Sequence, residues 1–299
     1  MCTMAVSPII NVMDDKLSRG FLSAVEFCHE ISSADDARVS LSSIGFVTPT
    51  FLLPSLVFME KMSRKPKLTG AGSYLNTVHF TDGGVDASSM RDSEFKVYMA
   101  ALMRGSYIPV IKFPTDIHGT DKRDSILSSI HAILGRQGKF GSNVDNGLRY
   151  VIGESVDNIV EHSHSPYGYI TAQSYPRKGY TDICIADTGG TILGSYSENP
   201  RTAGIGSDIE ALQSAVSGIS AKNLPEAENR GYGLRTTIRM LTDGLSGEYL
   251  LASGDALFAA NAMGGRYMEL PLGVRFHGTI VSFRIPENMS TFNYLKYIE

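Results

Sequence analysis

The stretch VDNGLRYVIGESVDNIVEH, residues 144–162, has the periodicity of an amphipathic helix and decides the fold. At about 100° per residue, its apolar side chains gather on one face. Three polar side chains line up along the edge of that face: Glu154, Asn158 and Glu161. We therefore expect these three side chains to point into one cleft.

A second motif follows a predicted strand. After residue 163 the pattern changes to a period of two, so that YGYITAQSY and YTDICIA predict two strands joined by the turn PRKG. The second strand runs directly into Asp187-Thr188-Gly189-Gly190-Thr191. An acidic residue therefore ends a buried strand, and a glycine turn follows it.

Two further motifs lie nearer the C-terminus. A long polar stretch, which contains the helical segment SDIEALQSAVSGI, leads to residues 231–234, GYGL, at the start of the predicted helix LRTTIRMLTDG. Long loops in compact domains are typically lids or binding loops. The runs GEYLLAS, DALFAA, RYMELPL and GTIVSFRIP then predict strands of a mostly antiparallel sheet, and the last of them carries Gly278-Thr279.

Together the four motifs resemble those of the GHKL superfamily of Bergerat-fold ATPases. They are E-x-x-x-N on a helix, D-x-G-G-T after a strand, G-x-G-L at a helix start and G-T in a late strand, across residues 124–286. Within that group the chain looks most like histidine kinase-like and anti-sigma-factor serine kinase-like ATP-binding proteins. The resemblance implies an α+β fold: a Bergerat-type α/β sandwich whose mixed, mostly antiparallel sheet is covered by helices on one face.

The resemblance also implies a binding site for ATP and Mg²⁺. Glu154 would be the general base that polarises the attacking water, and Asn158 would coordinate the Mg²⁺. Asp187 would accept a hydrogen bond from the adenine amino group, Gly189 would let the purine approach the backbone, and Thr279 would reach the adenine through water. The other implied nucleotide-binding positions are Thr191, Gly231, Gly233 and Leu234.

The residue types suit these roles on chemical grounds. An asparagine oxygen suits a hard cation that takes few protein ligands besides water and phosphate. General base catalysis needs a carboxylate within reach of one water. The unpaired N–H groups and positive dipole end at a helix N-terminus attract phosphate. Taken alone, Glu154 and Asn158 are typical of a solvated helix face, so the order and spacing of all four motifs carry the interpretation.

One position departs from the pattern of the family. Its first glycine box usually reads D-x-G-x-G, whereas this chain has Thr191 in place of the last glycine. A β-branched residue disfavours a positive φ. We therefore expect ATP binding to be kept and the geometry of the lid to differ.

Residues 1–120 predict a smaller α/β unit. RVSLSSI predicts a strand, and the later part of FVTPTFLLPSLVFMEKM predicts a helix with Pro54 in its first turn. NTVHFTD predicts a second strand, and SEFKVYMAALMRGSY predicts a second helix. This part loosely resembles the STAS-like domains that partner serine-kinase switches. The segment IPVIKFPTDIHGTDKRD carries two prolines, a glycine and clustered charges, which places the domain junction between about residues 113 and 124. We therefore predict a regulatory or interaction domain over 1–120 and an ATP-binding domain over 121–299.

Composition narrows the choice of partners. The chain has 27 Lys and Arg against 31 Asp and Glu, and it has no basic block, so we expect no direct nucleic-acid binding. Its cysteines, Cys2, Cys28 and Cys184, show neither metal-ligand spacing nor a disulfide framework. The N-terminus is a poor signal peptide, and the apolar window at 46–59 is too short to span a membrane. These features predict a cytoplasmic protein that does not bind membranes.

The expected function is that of a signalling protein. It would hydrolyse ATP, or transfer the γ-phosphate to a partner protein as a serine-type kinase, with lid closure controlling an interaction made by residues 1–120. The alternative is a non-catalytic, nucleotide-gated interaction module. His131, in SSIHAILG, lacks the neighbours of a phosphoacceptor, and EHSH at residues 161–164 supplies too few ligands for a metal site of its own. Homodimerisation stays open.

Overall fold

The protein is described by a computed structural model that covers residues 16–33, 38–116, 119–220, 232–287 and 292–298. A small parallel sheet pairs β1 (Arg38–Ser40) with β2 (Lys67–Thr69). The strands of the large sheet are β3 (Val85–Asp86), β4 (Tyr107–Pro114), β5 (Tyr167–Tyr175), β6 (Tyr180–Asp187), β7 (Glu248–Gly254), β8 (Ala256–Asn261), β9 (Gly264–Glu269) and β10 (Phe276–Pro286). Their spatial order is β3-β4-β5-β6-β10-β7-β8-β9, and every pair except β3 with β4 is antiparallel.

Helices alternate with the strands as far as β4, after which helices and strands follow one another in groups. The helices are α1 (Lys16–Ser33), α2 (Pro49–Lys61), α3 (Ser73–Thr77), α4 (Asp92–Leu102), α5 (Thr120–Gln137), α6 (Ser142–His162), α7 (Ile192–Glu198), α8 (Asp208–Ser217) and α9 (Tyr232–Arg239). A π-helical turn, Met240–Gly244, continues α9, and single 3₁₀ turns occupy Pro271–Gly273 and Tyr294–Lys296. The predicted α+β class and the mostly antiparallel sheet are confirmed.

Alternation along the strands separates two hydrophobic cores, one on each face of the large sheet. On β10, Val281 and Phe283 belong to the core that α4, α5 and α6 cover. Ile280, directly before Val281 in the sequence, belongs to the opposite core, which α1 and α2 cover. Successive strand residues point to opposite faces of the sheet. Because both faces are buried, the strands are nearly continuous apolar runs in the sequence.

The large sheet continues across the predicted domain boundary. That boundary, between residues 120 and 121, falls at the start of α5, yet β4 before it pairs with β5 after it, from Tyr107 opposite Gln173 to Pro114 opposite Tyr167. Helix α2 also packs on β6 and β10. The two segments therefore share one sheet, while the division into two domains stays a prediction about folding units.

Two local expectations in the N-terminal segment were wrong. NTVHFTD, residues 76–82, forms the end of α3 and a following turn rather than a strand. Its apolar residues Val78 and Phe80 are buried all the same. Pro49, not Pro54, occupies the first turn of α2, and Pro54 lies inside that helix.

A buried ion pair joins β6 to β10 beneath α1 and α2. Asp182 and Arg284 stand opposite each other in the register, and Nε and Nη2 of the arginine donate to the two carboxylate oxygens at 2.6 and 2.8 Å. Arg284 also donates to Glu248 on β7 at 3.2 Å and lies over the ring of Tyr180. Since a bidentate pair fixes both partners, it holds three neighbouring strands together.

Candidate functional site

A cleft lies between α6 and the sheet face that α6 covers. Strands β7 and β10 form its floor, α6 forms one wall, and the other wall combines the start of α7, the end of α8 and the start of α9. Its lining residues come from segments up to more than 100 positions apart in the sequence. They include Glu154, Asn158, Asp187, Gly233, Thr237, Tyr249, Leu251 and Thr279.

Asp187 lies at one end of the cleft, almost completely buried. The backbone N–H of Gly189 donates to its Oδ1 at 2.7 Å, and the backbone N–H of Thr279 donates to its Oδ2 at 3.0 Å. Burial raises the pKa of Asp187 to about 7, although these two hydrogen bonds favour the carboxylate. Each carboxylate oxygen can accept a second hydrogen bond, so Asp187 keeps acceptor capacity for a ligand.

The strand opposite Asp187 is shaped by a glycine. The β10–β7 register shifts between Phe276 and Thr279, and Gly278 in that irregularity has a φ of +79°. A Cβ at Gly278 would overlap the carbonyl and the carboxylate of Asp187. Only glycine therefore allows β10 to approach closely enough for the N–H of Thr279 to reach Asp187.

Ser253 of β7 connects this strand to the glycine turn. Its hydroxyl donates to the carbonyl of Gly278 at 2.9 Å and accepts from the N–H of Ile192, at the start of α7, at 3.0 Å. No motif in the sequence singled out this serine, because its two partners lie on separate segments. It positions both the G-T motif and the start of α7.

The glycine turn after Asp187 packs on the end of α6. A Cβ at Gly189 would overlap the carbonyl oxygen of Ser163, and the N–H of Gly190 donates to the same oxygen at 2.6 Å. Gly189 does not line the cleft, whereas Gly190 does. The close approach that needs glycine at position 189 is thus made to the protein backbone, not to the space where a purine was expected.

Thr191 has an unstrained role that explains its departure from the family pattern. Its φ of −78° is ordinary for a β-branched residue, and its hydroxyl caps α7 by accepting from the N–H of Gly194 at 3.1 Å. The cap satisfies one unpaired helical donor. The position requires no left-handed backbone, so threonine fits it, and its side chain lies outside the cleft lining.

Along α6, Glu154 and Asn158 line the cleft as the helical spacing predicted, whereas Glu161, the third side chain expected there, is not part of the lining. The carboxylate of Glu154 occupies the position that a side chain at Gly233 would take, so α6 contacts the start of α9 directly. Tyr150, one turn earlier on α6, is hydrogen-bonded to Thr236 of α9. The start of α9 is thereby held against the helix that carries the candidate base.

The structure brings most of the predicted site residues together. Those that line the cleft are Glu154, Asn158, Asp187, Gly233, Leu234 and Thr279. Gly189 and Thr191 support its rim without lining it, and Gly231 lies outside the described residues. The sequence reasoning missed the floor residues Tyr249, Leu251 and Val281, and it missed Thr237 in the wall that α9 forms. Strand periodicity marks the floor residues as buried and carries no sign that a cleft opens above them.

His131 on α5 is buried, and burial lowers its pKa to about 4, so it is neutral at pH 7 and not presented as a phosphoacceptor. Within the described ranges, no cluster of three His, Cys, Asp or Glu side chains could hold a metal ion. Cys28 and Cys184 are free thiols buried in the core.

Comparisons with other proteins do not assign the chain to a family. No protein-family model, curated protein or solved structure matches it. Among the helices in the described part of the chain, none has the length and apolar character needed to cross a membrane. The function of the protein is therefore inferred from the geometry of the cleft.

That geometry fits a nucleotide with a metal ion. The buried Asp187 is an acceptor for an amine, Leu251 and Val281 supply an apolar floor, and the exposed amide of Asn158 can offer an oxygen at the rim. Mg²⁺ needs few protein ligands when phosphates and water complete its coordination shell. Asn158 is accordingly the residue that would hold it.

Proposed function

We propose that the cleft binds Mg²⁺-ATP in the manner of the GHKL ATPases and that the protein is a signalling ATPase or kinase with a Bergerat-type fold. One observation carries this proposal: all four motifs, from α6, the end of β6, the start of α9 and β10, contribute lining residues to a single cleft. Because these residues, which are distant in sequence, line one cleft, a single ligand could contact all of them.

The proposed roles follow from the position of each group. Asp187 accepts a hydrogen bond from the adenine amine at the buried end, and Asn158 coordinates the Mg²⁺ at the rim. Glu154 polarises the water that attacks the γ-phosphate, which requires the carboxylate to move away from Gly233. The start of α9 directs backbone N–H groups and a positive dipole end toward the phosphates.

Turnover would take one of two forms. Water attack gives ADP and phosphate, whereas attack by a serine hydroxyl of a partner protein transfers the γ-phosphate to that partner. In both cases lid closure would control an interaction made by residues 1–120, for which we propose a STAS-like role in partner binding. Helix α2 of that segment packs directly on β6, the strand that ends at Asp187.

A non-catalytic switch is the second candidate. The contact between Glu154 and Gly233 favours it, because a nucleotide that separates them would displace α9 without any bond being broken. In such a module, ATP selects one conformation of the start of α9, and the partner recognises that conformation.

Calorimetry tests the proposal directly. ATP and ADP are titrated with and without Mg²⁺ into the wild type, Asp187→Asn and Asn158→Ala, and phosphate release is followed in the same samples. We expect binding that depends on Mg²⁺ and is weakened in both variants. If the wild type releases phosphate and Glu154→Ala does not, the protein is an ATPase. If the wild type binds ATP without releasing phosphate, the protein is the switch. Absence of ATP and ADP binding by the folded wild type would refute the proposal.

A further inference from the structure

Two buried hydroxyl groups in the cleft have no protein partner. Thr237 on α9 and Tyr249 on β7 both line the cleft and are 2% and 1% exposed. Neither hydroxyl oxygen has a hydrogen-bond partner among the described residues. Other buried side-chain polar atoms in the described ranges also lack a hydrogen-bond partner. Among them, the hydroxyls of Thr237 and Tyr249 are those whose residues line the cleft.

Such groups are costly to the ligand-free protein. A buried hydroxyl that leaves water without gaining a partner loses hydrogen-bonding free energy. The cost is removed when a ligand in the same cleft supplies an acceptor. Tyr196 provides a contrast within the cleft, since its hydroxyl donates to the carbonyl of Ile219 and so has a structural role.

The two hydroxyls lie at the end of the cleft away from Asp187. Thr279 of β10, whose N–H donates to Asp187, stands opposite Ser253 of β7. Tyr249 lies four residues from Ser253 along β7, a distance of roughly 13 Å. Thr237 lies one helical turn after Gly233, which contacts Glu154. A ligand that reaches from Asp187 to these hydroxyls must be longer than a purine base.

The chemistry of this end differs from that of the Asp187 end. Leu251 and Val281 separate the two polar ends with an apolar floor. At the far end the available groups are neutral hydroxyls, which donate readily to oxygen acceptors. The sugar–phosphate part of a nucleotide is rich in such acceptors, and a base held at Asp187 would direct that part toward Glu154 and α9.

Building on the proposed function, we propose that Thr237 and Tyr249 are nucleotide-binding residues that donate hydrogen bonds to the sugar–phosphate part of the ligand. They lie outside all four motifs.

The test removes each hydroxyl with little change of shape, in Tyr249→Phe and Thr237→Val. ADP affinity, measured by calorimetry, is expected to fall about three- to tenfold in each variant. Because neither hydroxyl has a protein partner, the denaturant midpoint of the ligand-free protein should stay the same or rise. Tyr196→Phe is the control, and its midpoint should fall because a protein hydrogen bond is lost.

The outcomes separate this inference from the proposed function. If the folded wild type binds neither ATP nor ADP, both fail together. If the wild type binds ADP and both variants bind it equally well, this inference is overturned while the proposed function stands. A clear drop in the midpoint of ligand-free Tyr249→Phe or Thr237→Val would also overturn it, since the hydroxyl would then have a structural partner.

Discussion

Replacing Asp187 by asparagine should change how stability depends on pH. In the folded, ligand-free protein, burial raises the pKa of Asp187 from its ordinary value of 3.8 to about 7. A shift of about 3 units corresponds to roughly 4 kcal/mol. Folding favours the protonated form, so this contribution is fully present below pH 3.8 and is lost as the pH rises toward 7.

Asparagine does not titrate, so the comparison isolates this group. We expect the free energy of unfolding of the wild type, minus that of Asp187→Asn, to fall by up to about 4 kcal/mol between pH 4 and pH 7 and then to level off. The amide can accept from only one of the Gly189 and Thr279 N–H groups without a clash of donors, which adds an offset that does not depend on pH.

Urea unfolding of both proteins across this pH range, at constant ionic strength, measures the difference. Asp121→Asn, on the exposed surface of α5, is the control for the loss of one carboxylate. The free energy of unfolding of the wild type minus that of Asp187→Asn could instead stay constant or rise with pH. Either result would show that burial does not dominate the environment of Asp187.

The same titration should appear in ligand binding. Only the carboxylate form of Asp187 can use both oxygens as acceptors for an adenine amine. With a pKa of about 7, the affinity for ATP should therefore fall about tenfold per pH unit below that value and should be nearly constant above it. Affinity that is independent of pH between about 5 and 8 would contradict the proposed role of Asp187.

Three further substitutions test other parts of the structure. Gly278→Ala should destabilise the protein by more than about 2 kcal/mol because the new Cβ overlaps the end of β6. Gly273→Ala is the control: its φ is also positive, at +67°, but no atom lies close to the new Cβ, so it should cost only about 1 kcal/mol of backbone strain. Equal losses of stability in urea unfolding would contradict this difference. Arg284→Met should cost about 3–5 kcal/mol by leaving Asp182 unpaired in the core, and a loss below about 1 kcal/mol would argue against a buried pair. Glu154→Gln should lower phosphate release about 100-fold or more while ADP affinity changes little, and undiminished release would exclude Glu154 as the base.

Much of the secondary structure could be predicted because its signals are local. Helix α6 and the β5–β6 hairpin each follow a periodic pattern within one segment, and the strands β7 to β10 do so as well. NTVHFTD shows where this reasoning fails. Its alternating Val78 and Phe80 resemble a strand, yet a short helix and a turn bury the same side chains against α2. Burial depends on what surrounds a segment, which local alternation does not specify.

The sequence by itself determined which residue types are available for the site, and their spacing placed Glu154 and Asn158 on one edge of α6. Tertiary structure alone decided that Asp187 is buried, since its pKa depends on strands and turns contributed by distant segments. It also decided that Gly189 meets Ser163 and that Thr237 and Tyr249 face the same cleft. The physical reason is that packing and desolvation are properties of neighbours in space, whereas periodicity and motif spacing record only neighbours along the chain.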